Sequence, residues 1–337
     1  MQKEYSYFTT TLLRWFEQNG RDLPWRRTAD PYAIWLSEII LQQTQVKQGW
    51  DYWERFMKQW PTVEALAAAS EDEVLRMWQG LGYYSRARNL HHAARQITAL
   101  GAFPNTIEGL RQLKGVGDYT AAAIGSIAFG LPAAVVDGNV YRVLARHFGI
   151  HTPINTTEGK HEFAALAQEL LPPPQASAYN QAIMDFGATQ CTPHRPVCEC
   201  CPLQASCVAL QEQLVDQLPV KLKTLKVQTR HLTYIYVRHK GQTAIRRRPA
   251  GDIWQGLWEP LLVDDSQEPT AKNPQPILIR RGVKHQLTHR RLLCDFYLWE
   301  PVERPNLPDN YIWIPEADID QYALPRLVEL LLEALPR

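Results

Sequence analysis

Four of the six cysteines, Cys191, Cys198, Cys201 and Cys207, follow the spacing C-x6-C-x2-C-x5-C. Residues 1–13 carry Glu4 and lack a basic segment followed by an apolar run, so no signal peptide is evident and a cytoplasmic, nucleoid-associated location is expected. In such a compartment thiols persist as metal ligands rather than as disulfides. Four thiolates suit either zinc or a 4Fe-4S cluster. A zinc ribbon has two close C-x2-C pairs, whereas here only Cys198 and Cys201 form one. Cys200, beside Cys201, is read as a spectator with the alternative of a competing ligand, and Cys294, far along the chain, as a buried thiol.

Two carboxylates stand in strings that invite chemistry. Glu38 lies in Trp35-Leu36-Ser37-Glu38-Ile39-Ile40-Leu41-Gln42-Gln43-Thr44-Gln45, and on a helix it shares a face with Ile34 and Leu41. A carboxyl among apolar neighbours holds its proton toward neutral pH, although a surface glutamate on an amphipathic helix is the ordinary fate of this residue type. Asp137 begins Asp137-Gly138-Asn139-Val140-Tyr141-Arg142, where a helix starts. There it reads first as an N-cap, a contribution of about 1 kcal/mol, and a carboxylate at a helix start is expected to stay ionised. Between them Leu113-Lys114-Gly115-Val116-Gly117-Asp118-Tyr119-Thr120-Ala121 joins two helices. Its two glycines are expected to turn the backbone tightly and aim amides at a phosphate. A G-x-G alone also occurs in plain helix–helix turns.

Taken together these strings resemble the adenine DNA glycosylases of the MutY type, within the endonuclease III superfamily. The resemblance implies a 4Fe-4S cluster on the four spaced cysteines, ordering a loop that presents His194 and Arg195, and a helix-hairpin-helix at residues 113–121. It implies that Glu38 protonates adenine at N7 and that Asp137 stabilises or captures the sugar cation, with Asn139 and Tyr119 assisting through hydrogen bonds. Paired carboxyls of opposed environment are a recurring device for glycosidic cleavage. Strand-cleaving relatives carry lysine where Tyr119 stands, and tyrosine cannot form their Schiff base, so a monofunctional enzyme leaving an abasic site is expected. Asp22-Leu23-Pro24-Trp25-Arg26 resembles the segment whose Trp25 and Arg26 line the adenine pocket with Leu41 and Gln181. Gly80-Leu81-Gly82-Tyr83-Tyr84-Ser85-Arg86 is close to the family string, which implies DNA contacts by Leu81, Tyr83 and Arg86, and likewise by Gln43, Thr44, Gly115 and Gly117. A loop packed on the core is the plain alternative for Tyr83 and Tyr84.

The elements that must position these groups fall in two parts. Helical periodicity is read at 33–46, 65–77, 85–100 and 140–148, with Ser70 opening a capping box that starts a helix at about Glu71. Beyond Gln228 short β-rich runs appear at 231–237, 243–247, 292–299 and 311–314, and a helix at 325–335 closes the chain. The expected architecture is multi-domain. A helical catalytic domain spans 1–215, with a six-helix region at about 31–130 and a cluster region from 1–30 plus 131–215. A basic linker follows at 216–228, then an α+β domain at 229–337. The last resembles the family's Nudix-like domain, which implies 8-oxoguanine recognition through Thr288 and His289, with Leu287 replacing the family phenylalanine. The acidic box of true Nudix hydrolases is absent.

Composition sets the outer limits. At 45% hydrophobic and 21% charged, the 337 residues can bury a core, and no run reaches the roughly 20 apolar residues of a membrane span. Net charge of +1 gives no sign of nucleic acid. However, Lys221, Lys223, Lys226, Arg230, Arg238, Lys240, Arg246, Arg247 and Arg248 run without an acidic residue among them. That stripe reads equally as a phosphate contact or as a solvated linker and edge strand. The expected partner is double-stranded DNA holding 8-oxoguanine:adenine or G:A mispairs, bound by a monomer, with a sliding-clamp contact as a further expectation. Competing readings are a lyase or an enzyme for another base such as thymine in a T·G mismatch, a non-catalytic DNA clamp, and a nucleotide hydrolase.

Overall fold

A computed structural model describes residues 2–223, 227–264 and 274–336. The chain forms two compact units, Met1–Ala67 with His92–Lys223, and Ala68–His91 with Thr224–Arg337. Residues 68–91, read from sequence as part of the helical domain, therefore group with the second unit. Within the expected basic linker, residues 224–226 lie outside the described residues.

The first helices are α1 (Gln2–Asn19), α2 (Pro31–Leu41), α3 (Val46–Gln59), α4 (Val63–Ala68), α5 (Glu71–Trp78) and α6 (Ser85–Leu100). Then follow α7 (Ile107–Arg111), α8 (Asp118–Phe129), α9 (Gly138–Phe148), α10 (Thr157–Leu170), α11 (Ala176–Asp185) and α12 (Val208–Gln211). Helix α2 is capped by Asp30, whose side chain accepts from Tyr32 N, with Pro31 in the first turn where its missing N–H costs nothing. It is apolar nearly all round and buries Tyr32 to Ser37, Ile39 and Ile40, as a helix crossing the middle of a bundle must. The expected helix 33–46 stops at Leu41, because Gln43 turns left-handed (φ 58°) and α3 starts afresh at Val46. No glycine marks that break, so the apolar period ran through it.

The expected helix 65–77 also divides. Ser70 Oγ accepts from Glu73 N (3.2 Å) while Glu73 Oε2 accepts from Ser70 N (2.8 Å), and this reciprocal cap starts α5 at Glu71. The expectations at 85–100 and 140–148 correspond to α6 and α9. Phe8, Leu12, Val140, Leu144, Phe163, Tyr179, Ile183 and Phe186 form one core of the first unit.

The second unit holds β1 (Gln228–His239), β2 (Gln242–Arg247), β3 (Trp258–Glu259), β4 (Leu261–Asp264), β5 (Ile277–Gln286), β6 (Arg290–Trp299), β7 (Tyr311–Pro315) and α13 (Arg326–Ala334). The described strands form one mixed sheet of order β3-β2-β1-β6-β5, with β4 on β1 and β7 on β2. Strand β1 runs parallel to β6 from Gln228↔Arg290 to Val237↔Trp299, and the other pairs are antiparallel. Tyr234, Tyr236, Phe296 and Leu298 pack against Leu327, Val328 and Leu331 of α13, and Cys294 is fully buried there. The four strands read from sequence lie in β1, β2, β6 and β7. Strands β3, β4 and β5 escaped the reading: two are too short to show a period, and β5 is an irregular, largely exposed edge.

The strands that carry much of the basic stripe, β1 and β2, are not edge strands, since each has neighbours on both sides, and Lys221, Lys223 and Lys240 of the stripe are exposed. Arg230 and Arg248 pair with Asp252, Arg238 with Glu316, Arg246 and Arg248 with Glu259, and Arg247 with Glu71. No helix among the described residues is long and apolar enough to cross a membrane.

The hairpin between α7 and α8 divides its glycines unequally. Gly115 sits at φ 81°, the left-handed region, whereas Gly117 is the N-cap of α8 at φ −95° and ψ −175°, extended backbone open to any residue. The expectation that both glycines shape the turn is therefore corrected: the tight turn needs only Gly115. Gly115→Ala should destabilise the protein by about 1–2 kcal/mol in urea unfolding, the cost of a left-handed L-residue.

Candidate functional site

A cavity of about 450 Å³ opens in the first unit, lined among others by Arg21, Trp25, Arg26, Glu38, Leu41, Gln43, Thr44, Tyr119, Asp137, Asn139, Gln181 and Met184. Each element brings something local. The turn Pro24–Arg26 sets Trp25, which is 6% exposed, edge-on to Trp50 and Trp53 at 6.1 and 5.8 Å. Helix α2 carries Glu38 and Leu41, and its abrupt end places Gln43 and Thr44 at the same cavity. Helix α8 contributes Tyr119 from its first turn, and the start of α9 contributes Asp137 and Asn139.

Tyr119 donates its hydroxyl to Glu38 Oε2 at 2.9 Å. Burial raises the Glu38 carboxyl to about 7; Asp137 adds to the rise, while the Tyr119 hydrogen bond and the Arg26 charge oppose it. Tyr119 itself is pushed well above 10 by burial and the neighbouring carboxylates, so it remains a neutral donor. Asp137 is both cap and site. Its Oδ1 accepts from Asn139 N (2.9 Å) and Val140 N (2.8 Å), and its Oδ2 accepts from Asn139 Nδ2 (2.8 Å). A helix start alone would favour the carboxylate, but burial prevails over those bonds and over Arg142, and the pKa moves up from 3.8. The helix-start bonds thus oppose the rise without cancelling it.

Gln181 donates its amide nitrogen to Ser177 O (3.3 Å) and Ser177 Oγ (3.1 Å). A backbone carbonyl only accepts, so this fixes the NH2 toward the helix and leaves the amide oxygen as the other hydrogen-bonding end. Arg26 makes a two-pronged ion pair with Asp185, both bonds 2.7 Å. Sequence reading missed Asp185, Arg21 and Arg142. Arg21 adjoins the Asp22-to-Arg26 string and was in reach of it, whereas nothing in the residues around Asp185 marks it. Arg142, one turn into α9, donates to Asn139 Oδ1 (2.9 Å), Gly187 O (2.5 Å) and Cys191 O (2.7 Å).

After α11 the helix widens into a single π turn at Phe186–Gln190, a rare feature that recurs at functional sites, and this delivers Cys191. Cys191, Cys198, Cys201 and Cys207 line one void of about 30 Å³ with Arg146, Val197, Leu210 and Val215. Arg146 Nη1 lies 3.4 Å from Cys191 Sγ. Among the described residues no group of three or more His, Cys, Asp or Glu could hold a metal ion as placed. The donor set nevertheless fits a polynuclear iron–sulfur group: four thiols face one gap, edged by apolar side chains and a cation. Burial pushes the free thiols of Cys198, Cys201 and Cys207 up, Cys201 to about 11, so a metal would have to supply the energy of their deprotonation. Cys200 is exposed, as are His194 and Arg195 on the same loop.

The residues of the glycine-tyrosine string lie in the second unit. Tyr83 is 47% exposed in a left-handed conformation (φ 45°), and its hydroxyl shares a 2.5 Å hydrogen bond with Thr288 Oγ1. Leu81 and Arg86 are buried instead. The Arg86 guanidinium donates to Leu81 O (3.2 Å) and Gly82 O (3.3 Å) and lies over Trp78, so it shapes the loop that carries Tyr83. Thr288 and His289 are exposed at the tip of the β5–β6 hairpin, and Leu287 packs toward the second unit's core.

Residues 36–173 match the HhH-GPD superfamily base excision DNA repair protein, and residues 233–334 match the NUDIX domain. The chain is 46% identical over 226 residues to the adenine DNA glycosylase of Homo sapiens, a span covering 64% of this chain and 41% of that protein. It is 33% identical over 296 residues to the adenine DNA glycosylase of Buchnera aphidicola subsp. Baizongia pistaciae, covering 85% and 84% respectively. The chain spans less than half the length of the mammalian relatives it matches. A solved thermostable thymine-DNA glycosylase superposes with a TM-score of 0.59 and 31% identity, covering 63% of this chain and 98% of that one.

The raised Glu38 pKa has a consequence for folding. A carboxyl at 4.5 when unfolded and about 7 when folded gives stability that is present below pH 4.5 and lost as pH rises through 7. Glu38→Gln removes that loss. Urea unfolding should find the variant more stable than wild type by up to about 3 kcal/mol above pH 8, with the gap narrowing toward pH 5.

Proposed function

This chain belongs to the adenine DNA glycosylase family, and from that premise we propose that it hydrolyses the N-glycosidic bond of adenine mispaired with 8-oxoguanine or guanine in double-stranded DNA. The observation that carries the reading is Glu38, held near a pKa of 7 and hydrogen-bonded by Tyr119, in one cavity with Asp137. Chemistry on a base requires that it first leave the stack, at a cost of a few kcal/mol that is least at a mispair. Trp25, Arg26, Leu41 and Gln181 then receive the adenine, and the Gln181 amide oxygen is suited to accept from its amino group. Glu38 gives its proton to N7, which turns adenine into a neutral leaving group as the bond to C1′ breaks. Asp137, oriented by Asn139, stabilises or captures the sugar cation, and water supplies the hydroxyl that ends the reaction.

Tyr119 leaves no amine at the position where strand-cleaving relatives carry lysine, so the product is an abasic site in an unbroken strand. Thr288 and His289 are assigned to the damaged base, Tyr83 to the base stack beside it, and Gln43 and Thr44 to contact with the damaged guanine. Cys191, Cys198, Cys201 and Cys207 would hold a 4Fe-4S cluster, which would order the loop bearing His194 and Arg195. Arg86, buried in its loop, supports Tyr83 rather than touching DNA itself.

A single-turnover assay on a duplex with 8-oxoguanine opposite adenine tests the reading. Wild type should give alkali-dependent cleavage at the adenine, and Glu38→Gln should bind the duplex with no release. Strand nicking without alkali, or release of thymine from T·G in place of adenine, would overturn it. The hairpin supplies a second test. A Cβ at Gly117 meets nothing within 4 Å, so Gly117→Ala should fold, with a loss of no more than about 1 kcal/mol from the poorer N-cap. If the amides of this turn grip a phosphate, the added methyl should weaken duplex binding about tenfold or more in a fluorescence titration.

A further inference from the structure

Asp185, the last residue of α11, has no accessible surface. Its carboxylate accepts from Arg21 N (2.9 Å), Arg21 Nε (2.9 Å) and Arg21 Nη2 (2.5 Å), and from Arg26 Nη1 and Nη2 (both 2.7 Å). Burial alone would raise this carboxyl, but the two arginines prevail and hold it below 3.8. Both arginines line the cavity that contains Glu38. The titratable and charged groups that line the cavity with Glu38 are Arg21 and Arg26 from the segment after α1, Tyr119 from α8 and Asp137 at the start of α9. On its own helix Tyr32 is turned away, donating to Trp60 O. Arg26 is thus the cation whose charge acts against a proton on Glu38.

We propose that Asp185 is a positioning residue for the candidate acid: by binding Arg21 and Arg26 it fixes both on the cavity wall and offsets their charge, so that Glu38 keeps its proton. The inference rests on Glu38 acting as the acid of the proposed reaction. A cation paired at 2.7 Å with a buried carboxylate acts on its surroundings as a dipole, whose field falls off faster than that of a lone charge. With a neutral partner the arginines would act on Glu38 at full charge, favouring the carboxylate, which has no proton to deliver. Asp185 would therefore govern the acid from α11 without touching the substrate.

The test compares wild type with Asp185→Asn and Asp185→Glu by two readouts. One is the pH profile of single-turnover adenine release, whose rate falls as pH rises through the Glu38 midpoint. The other is an infrared titration of the Glu38 carboxyl, taken as the difference between each protein and its Glu38→Gln counterpart. Asp185→Asn should move both midpoints down by about one pH unit, making the variant about tenfold slower than wild type above pH 8 and closer to it below pH 6. Asp185→Glu should restore the wild-type midpoints. A uniform loss of rate with both midpoints unmoved would mean a merely structural role and would overturn the proposal. Infrared titration needs no turnover, so an inactive wild type would sink the adenine reading while the midpoint still decides for or against Asp185. Should Asp185→Asn not fold, Arg26→Gln reads the same coupling from the other side. Its Glu38 midpoint should rise, and an unmoved midpoint would overturn the proposal.

Discussion

Two carboxyl groups occupy one poorly solvated cavity, and the helical unit is arranged around what that costs. Burial disfavours a charge on Glu38 and on Asp137, and the Asp137 carboxylate adds to the cost of charging Glu38. The fold resolves the conflict by unequal solvation. Asp137 receives two backbone amides and one side-chain amide because it sits where a helix must begin. Glu38, in mid-helix, has no spare backbone donors and receives one hydroxyl. The difference between a proton held and a charge stabilised comes from where along a helix each residue stands.

Arginine is the material with which the rest is tied together. Arg142 links α9 to the carbonyls of the π turn and of Cys191, and Arg146, one turn on, donates to Thr192 O, Pro193 O and Leu218 O. Loop carbonyls that no secondary structure could satisfy are thereby hydrogen-bonded to buried cations, which supports an irregular cysteine loop beside a regular helix. The second unit repeats the device. Its buried Glu259 accepts from Tyr234 and pairs with Arg246 and Arg248. The arginines of the basic run are thus paired with carboxylates, while Lys221, Lys223 and Lys240 of the same run are exposed.

The hairpin and the ends of helices show how far local signals reach. Ser70 with Glu73 and the sequence around Asp137 announce their caps, because a cap is made by residues three apart. Gln43 and Tyr83 announce nothing, since left-handed backbone at a non-glycine is imposed by what surrounds it. Where such a residue ends a helix, an apolar period read from sequence runs past the true boundary, as at Leu41.

Sequence by itself determined the two-part architecture, the cysteine spacing, the pairing of Glu38 with Asp137 and the absence of a lysine at Tyr119. These depend on residue identity, on short spacings and on strings long enough to resemble a family. Only the tertiary structure decided the direction in which Asp137 titrates, the burial of Arg86, the pairing of the stripe's arginines with carboxylates, and the bond between Tyr83 and Thr288, 205 residues apart. The same holds for Asp185 and Arg21, 164 residues apart, which no periodicity could bring together. Burial and long-range pairing arise from the packing of distant segments, and a linear pattern carries no record of which charge will meet which partner out of water.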